Sequence, residues 1–245
     1  APAAAADTLA DALASAYNTS GLLEQNRALL RAADEGVAQA MSSLLPVIGW
    51  SVTSTRTELS GSPIAGITNS TAARLTANLA LYEGGSNRLA VEAQKEVVLA
   101  TRESLRNVEQ SVLLRAVQAY TNVISALEFV QLRENNVRVI TQEFRAAQDR
   151  FEVGEVTRTD VSSAEARRAS ARSLLATAQG DLAVARQEYL AAIGKSATGL
   201  RGVGPAPVSR NLAEAQEFAV RNHPTILEAQ RNVTAAELNI RRAEA

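Results

Sequence analysis

The sequence predicts a mainly α protein: a long antiparallel coiled-coil α-hairpin carrying a two-stranded β-hairpin. Three observations carry that fold class. Ser86–Val153 is a run of 68 residues with neither glycine nor proline, bounded by Gly84-Gly85 and Gly154. As one helix it would be roughly 100 Å long at 1.5 Å per residue, far beyond the helices of compact domains. A second helical stretch, Asp160–Ile193, repeats its apolar residues every seven positions. Two stretches between the helices, Val47–Leu59 and about Ala72–Tyr82, instead alternate apolar and small polar residues with the period of a strand.

Composition narrows the class of function. Of 245 residues 46% are hydrophobic but only 4% aromatic, which favours close-packed helices over a bulky centre. A net charge of −1 lacks the basic excess of a nucleic-acid binder. With no cysteine, disulfides, thiolate metal sites and cysteine-linked lipids are excluded for this sequence. Ala1-Pro2-Ala3-Ala4-Ala5-Ala6 has neither the basic region nor the apolar core of a signal peptide, and reads as an end left after one is removed. Charges recur through the long helix from Arg88 onward, so it is not a bilayer span.

Residues 1–43 form the N-terminal helices, broken once near Asn18-Thr19-Ser20-Gly21. Thr8 with Asp11 three residues later is a capping-box start. The second helix places Leu22, Leu23, Leu29, Leu30, Ala33 and Val37 at helical spacing. Pro46 ends it, and residues 44–85 hold the two strands.

In the first strand Ile48, Trp50 and Val52 share one face, opposite Gly49, Ser51 and Thr53. Ser60–Ser70 is a loop by composition. In the second strand Leu75, Ala77, Leu79 and Leu81 share a face, opposite Thr76, Asn78 and Ala80. The alternation fits outer-membrane barrel strands, with Trp50 and Tyr82 as aromatic girdle residues. It fits equally a soluble hairpin with one buried face.

Residues 86–195 form the long helical hairpin, with its tip near 150–161. Val123, Val130, Val137, Phe144 and Phe151 recur every seven residues, the period of left-handed supercoiling. Leu113, Val117, Tyr120, Ile124 and Leu127 form a further stripe, so neighbours are expected on more than one side. The charges read as a solvated face with local pairs such as Glu134–Arg138. Gly154 can supply the left-handed stop, and Thr157 or Thr159 the next cap. On the returning helix Val161, Arg168, Leu175, Leu182 and Tyr189 hold one heptad position, and Ala164, Ala171, Ala178, Ala185 and Ala192 its partner. Those alanines allow close approach, so this helix should pack antiparallel on the far end of the long one. Being half its length, it leaves the remainder for another helix to cover.

Residues 196–210 are a Gly/Pro linker, and 211–245 begin a second repeat. At an offset of 203, Leu9, Ala10, Asp11 and Ala12 match Leu212, Ala213, Glu214 and Ala215, while Leu23, Leu30 and Val37 match Ile226, Val233 and Ile240. One complete repeat plus the opening of another is expected, as in a truncated chain.

Specific residues resemble the TolC-like outer-membrane efflux family. Leu44-Leu45-Pro46 resembles its helix-to-strand junction, Leu79-Ala80-Leu81-Tyr82-Glu83-Gly84-Gly85 its strand exit, and Ala119-Tyr120-Thr121-Asn122-Val123 a mid-helix motif. Arg150-Phe151-Glu152-Val153-Gly154 followed by Thr159-Asp160-Val161 resembles its hairpin tip. The resemblance implies half of an α/β-barrel channel protomer, with an extracellular-type loop between the strands. It further implies a homotrimeric channel-tunnel in the outer membrane, with a periplasmic extension. Such a conduit serves a tripartite efflux or type I secretion system, passing drugs or exported proteins. A periplasmic adaptor would dock at Val153, Gly154, Thr157 and Asp160 and join the tunnel to an inner-membrane pump. Asp160 occupies the place of a family tip contact that helps keep the tunnel closed; it is equally readable as a carboxylate at a helix N-terminus. Outer-membrane lipid is the other implied partner.

Two strands per chain would give only six in a trimer, leaving edges unpaired in lipid. By itself this chain is therefore expected not to form the pore, and as a fragment it could be soluble in the periplasm. The competing function is a soluble structural or adaptor-type coiled-coil protein. No catalytic, cofactor or metal site is predicted: His223 is the single histidine, read as a loop residue before Pro224, and no carboxylates visibly converge.

Overall fold

A computed structural model describes residues 8–58, 67–207 and 211–245. It contains helices α1 (Leu9–Thr19) and α2 (Gly21–Ser42), strands β1 (Val47–Glu58) and β2 (Ile67–Asn78), and helices α3 (Ser86–Glu152), α4 (Arg158–Ile193), α5 (Leu212–Asn222) and α6 (Pro224–Glu244). The predicted fold class stands: among the described residues there are long helices with one two-stranded antiparallel sheet. No described helix is long and apolar enough to cross a membrane.

The chain divides into two compact units, residues 1–26 with 106–212, and residues 27–105 with 213–245. In the first, α4 returns along α3 antiparallel, since Tyr120 meets Tyr189 and Phe144 meets Arg168. All ten heptad positions assigned to α4 are buried or half-buried. Arg168 occupies a seam position by laying its guanidinium 4.0 Å over the Phe144 ring, which shelters its apolar stem while the charge keeps reaching water. On α3 both stripes turn inward, except that Phe151 is exposed near the tip. Arg138 bonds Asn135 at 3.0 Å rather than Glu134, so that expected pair is not made.

The core of this unit gathers Ala12, Ala16, Ala116, Tyr120, Val123, Leu182, Ala185, Tyr189 and Ile193. Small residues on α1 and α4 bring their Cα atoms within 8 Å. There α1 also completes the end of α4, whose last carbonyls lack intrahelical donors. Ser15 Oγ donates to the Ile193 carbonyl at 2.9 Å, and Thr19 Oγ1 reaches the same oxygen at 3.2 Å. Gly194 makes the approach possible: its φ is +82°, and a Cβ there would stand 2.8 Å from Thr19 Oγ1. The segment after α4 is strapped to α3. Tyr120 Oη donates to the Arg201 carbonyl at 2.8 Å and accepts from the Arg201 amide at 3.0 Å.

In the second unit, Val91, Ala93, Val98 and Ala100 of α3 and Ala235 of α6 are buried. Arg231 of α6 pairs with Glu96 of α3 at 3.2 Å. Helices α5 and α6 begin 203 residues after α1 and α2. His223 is more than a loop residue: it is the N-cap of α6, its Nδ1 accepting from the Thr225 amide at 3.3 Å, with Pro224 at the first helical position.

The strands need one correction. β2 runs Ile67–Asn78, not about Ala72–Tyr82. Pairing with β1 sets these limits: Val47, directly after Pro46, stands opposite Asn78, so Leu79–Tyr82 has no partner on β1. At the other end Thr68, Asn69, Ser70 and Thr71 are drawn into the ladder by Thr57, Arg56, Thr55 and Ser54. Threonine suits a strand, whereas composition alone places Thr68, Asn69 and Ser70 in a loop. Leu59, the predicted end of the first strand, and residues 60–66 of the predicted loop lie outside the described residues.

Candidate functional site

The hairpin tip is assembled from short-range bonds. After α3 the chain enters Gly154 at φ +80°, which glycine adopts without steric cost. The Gly154 amide bonds the Phe151 carbonyl at 3.0 Å and the Glu155 amide the Arg150 carbonyl at 2.9 Å. This paired pattern is a Schellman stop. Three residues after Gly154, Thr157 caps α4: its hydroxyl accepts from the Asp160 amide at 3.3 Å. Asp160 Oδ2 in return accepts from the Thr157 amide at 2.9 Å and the Thr157 hydroxyl at 2.7 Å. Thr157, not Thr159, is therefore the cap.

The four predicted tip residues, Val153, Gly154, Thr157 and Asp160, come together at this turn and are all exposed. Val153 is 71% exposed, an apolar side chain held out at the end of a helix. Asp160 acts in this chain as a capping carboxylate. The Thr157 hydroxyl first, then the Thr157 amide, hold its pKa below the usual carboxylate range. Its charged form is thus the one the turn stabilises, at neutral pH and well below it. Beneath the turn Glu143, Arg150, Asp160 and Arg167 line a polar cleft of about 320 Å³ with both signs of charge.

The second candidate surface is the β-hairpin. In its register Trp50 stands opposite Leu75, Ile48 opposite Ala77 and Val52 opposite Ala73, so one face carries a continuous apolar row. Both faces are exposed: Trp50 is 79% and Leu75 77% open. Among the described residues none covers the row. Trp50 lies on it, whereas Tyr82 falls beyond β2 in the connection to α3. The reverse face holds Gly49, Ser51, Thr53, Thr76 and one charge, Arg74, opposite Ser51. Alternation in the sequence already carried that residue, but its strand had been started too near it for the pairing to be read.

No group of acidic, histidine or cysteine residues among the described residues could hold a metal. Compared with known proteins, residues 12–195 match the outer membrane efflux protein family. Outer membrane efflux protein BepC of Brucella suis biovar 1 (strain 1330) is 35% identical over 246 residues, covering 99% of this chain and 53% of that protein. The chain thus spans about half the length of the curated relative it matches. Among solved structures, the Campylobacter jejuni CmeC outer membrane channel superposes with a TM-score of 0.78 at 16% identity, over 96% of this chain and 52% of that one. VceC, an outer membrane protein of Vibrio cholerae, gives 0.77 at 19% identity, over 97% and 58%. CusC, studied for transmembrane channel formation, gives 0.79 at 21% identity, over 97% and 56%. Helical hairpin, exposed amphipathic strands and sequence thus agree, and the chain belongs to the outer membrane efflux protein family.

Proposed function

We propose that this chain is wall and barrel of a passive channel-tunnel in the outer membrane, part of a tripartite efflux or type I secretion system. The observation that carries it is the β-hairpin, whose apolar row is exposed along one face while the other stays small and polar. Lipid outside and water inside is the environment such a sheet satisfies. The coiled-coil alternative gives that row no occupant. Trp50 and Tyr82 would then lie toward the membrane interfaces.

Further strands are needed to close a barrel, because backbone groups at an open edge cannot remain unpaired in lipid. The offset of 203 between α1–α2 and α5–α6 supports a second repeat beginning near residue 211, and three such double repeats would make a trimeric pore. Exposed Phe129, Leu174 and Val184 line a groove of about 560 Å³ between α3 and α4, a surface suited to neighbouring wall helices. The tip, with exposed Val153, Gly154, Thr157 and Asp160, would receive a periplasmic adaptor linked to an inner-membrane pump.

The full-length protein, purified in detergent, should have the mass of a trimer and conduct ions in planar bilayers. Its deletion should sensitise cells to drugs or block export of a protein. A monomer without conductance, recovered from the soluble fraction, would refute the channel.

A further inference from the structure

We propose that Arg74 is a charge-selecting residue of the pore lumen that favours anionic over cationic solutes; this rests on the channel reading above. Register places it. Arg74 pairs with Ser51, on the face opposite Trp50, Leu75 and Ala77. If that apolar row meets lipid, Arg74 meets the lumen, because successive strand residues alternate between the two.

Depth strengthens the assignment. Arg74 lies between Ala73 and Leu75 and four residues above the base of β2 at Asn78, about 13 Å along the strand. It is therefore level with the apolar row, one residue from Trp50 and so close to the interface that Trp50 would mark. The other charges of the described strands, Arg56 and Glu58, lie on the opposite face and nearer the far end.

Its surroundings leave the charge uncompensated. Ser51 is opposite, Ala72 and Thr76 flank it on the same face, and no carboxylate among the described residues pairs with it. Small neighbours let the long side chain reach into the lumen. Copies of the chain would repeat the charge around the pore, and rings of arginine are a known means of attracting anions. Low-dielectric walls concentrate the field of such a ring. The Debye length is about 30 Å at 0.01 M salt and about 3 Å at 1 M, so selection should be strong in dilute salt and fade in concentrated salt.

The test is the reversal potential of the full-length protein in planar bilayers under a salt gradient. In dilute salt, Arg74→Ser should raise the cation-to-anion permeability ratio about twofold, and Arg74→Glu further. The variants should converge with wild type near 1 M. Arg56→Glu, on the other face, should leave the ratio unchanged. Should Arg74→Glu fail to insert, Arg74→Cys modified in the assembled pore gives a second reading. A cationic thiol reagent should restore the wild-type ratio and an anionic one should move it the opposite way. A conducting wild type whose ratio ignores charge at position 74 would overturn the role of Arg74 and leave the channel standing. A wild type without conductance would overturn both.

Discussion

Gly194 and Gly154 share a left-handed backbone, at φ +82° and +80°, but not their surroundings. A Cβ at Gly154 would meet nothing within 4 Å, whereas at Gly194 it would stand 2.8, 3.1 and 3.2 Å from Thr19 Oγ1, Cβ and Cγ2. Alanine in the left-handed region costs roughly 1–2 kcal/mol at either site, less a few tenths regained from a stiffer unfolded chain. Only Gly194→Ala also forces Thr19 aside, and overpacking of that kind typically costs about 1–3 kcal/mol. Thr19 cannot swing away freely, since its hydroxyl is bound to the Ser15 carbonyl at 2.9 Å and the Ile193 carbonyl at 3.2 Å. We expect Gly154→Ala to cost about 1 kcal/mol and Gly194→Ala about 2–4 kcal/mol. At roughly 2–4 °C per kcal/mol for a chain of this size, thermal unfolding followed by circular dichroism resolves the two. Thr19→Ala removes Oγ1 and Cγ2, so in that background part of the excess should disappear as a coupling of about 1 kcal/mol. Equal melting temperatures for the two glycine variants would refute the close approach of α1 to the end of α4.

Further outcomes follow from the same geometry. Tyr120→Phe removes both bonds to Arg201 and should cost about 1–2 kcal/mol, with faster hydrogen exchange at the Arg201 amide as the local readout. Phe144→Ala, buried at the seam, should cost about 3–4 kcal/mol in urea unfolding, whereas Phe151→Ala, exposed on the same heptad series, should cost under about 1 kcal/mol. The tip should be indifferent to pH near neutrality. Because the folded pKa of Asp160 is lowered, its capping contribution is fully present above the ordinary carboxylate range and is lost as pH falls through the folded value. The protection factor of the Asp160 amide, its exchange rate divided into the intrinsic rate at the same pH, should therefore hold steady between about pH 5 and 8 and fall only in stronger acid. In the full-length channel, Leu75→Arg on the apolar row, level with the interfacial Trp50, should cost about 1 kcal/mol of membrane-inserted stability, and Ser51→Arg on the reverse face less. Equal losses would show that the two faces have been wrongly assigned.

Helical elements were legible where many residues repeat one signal. The gap in glycine and proline located α3 to within one residue, and the heptads of α4 named the positions that the structure buries. The capping box of Thr8 with Asp11 was legible too, being a local pattern, whereas at the tip the sequence left Thr157 and Thr159 equally open as caps. Features that depend on pairing between distant residues were not. The limits of β2 are decided by which residues β1 can reach, and Thr68–Thr71 carries no local mark separating loop from ladder. The bond from Tyr120 to Arg201 spans 81 positions and involves only the backbone of Arg201, so no side-chain pattern announces it. His223 escaped notice as a cap because its ring nitrogen does what serine or aspartate more commonly does at that place.

The turn between α3 and α4 leaves almost no slack. Gly154 finishes one helix and Thr157 begins the next, with Glu155 and Val156 alone between them, and every bond that shapes the turn spans at most five residues. An added or deleted residue would break either the stop or the cap, and the antiparallel seam beyond would lose its alignment. A chain that keeps this stop and cap can therefore vary the surface of its tip only by exchanging side chains at a constant length. For redesign, the turn is a fixed frame whose outward positions, Val153 first among them, are open to substitution.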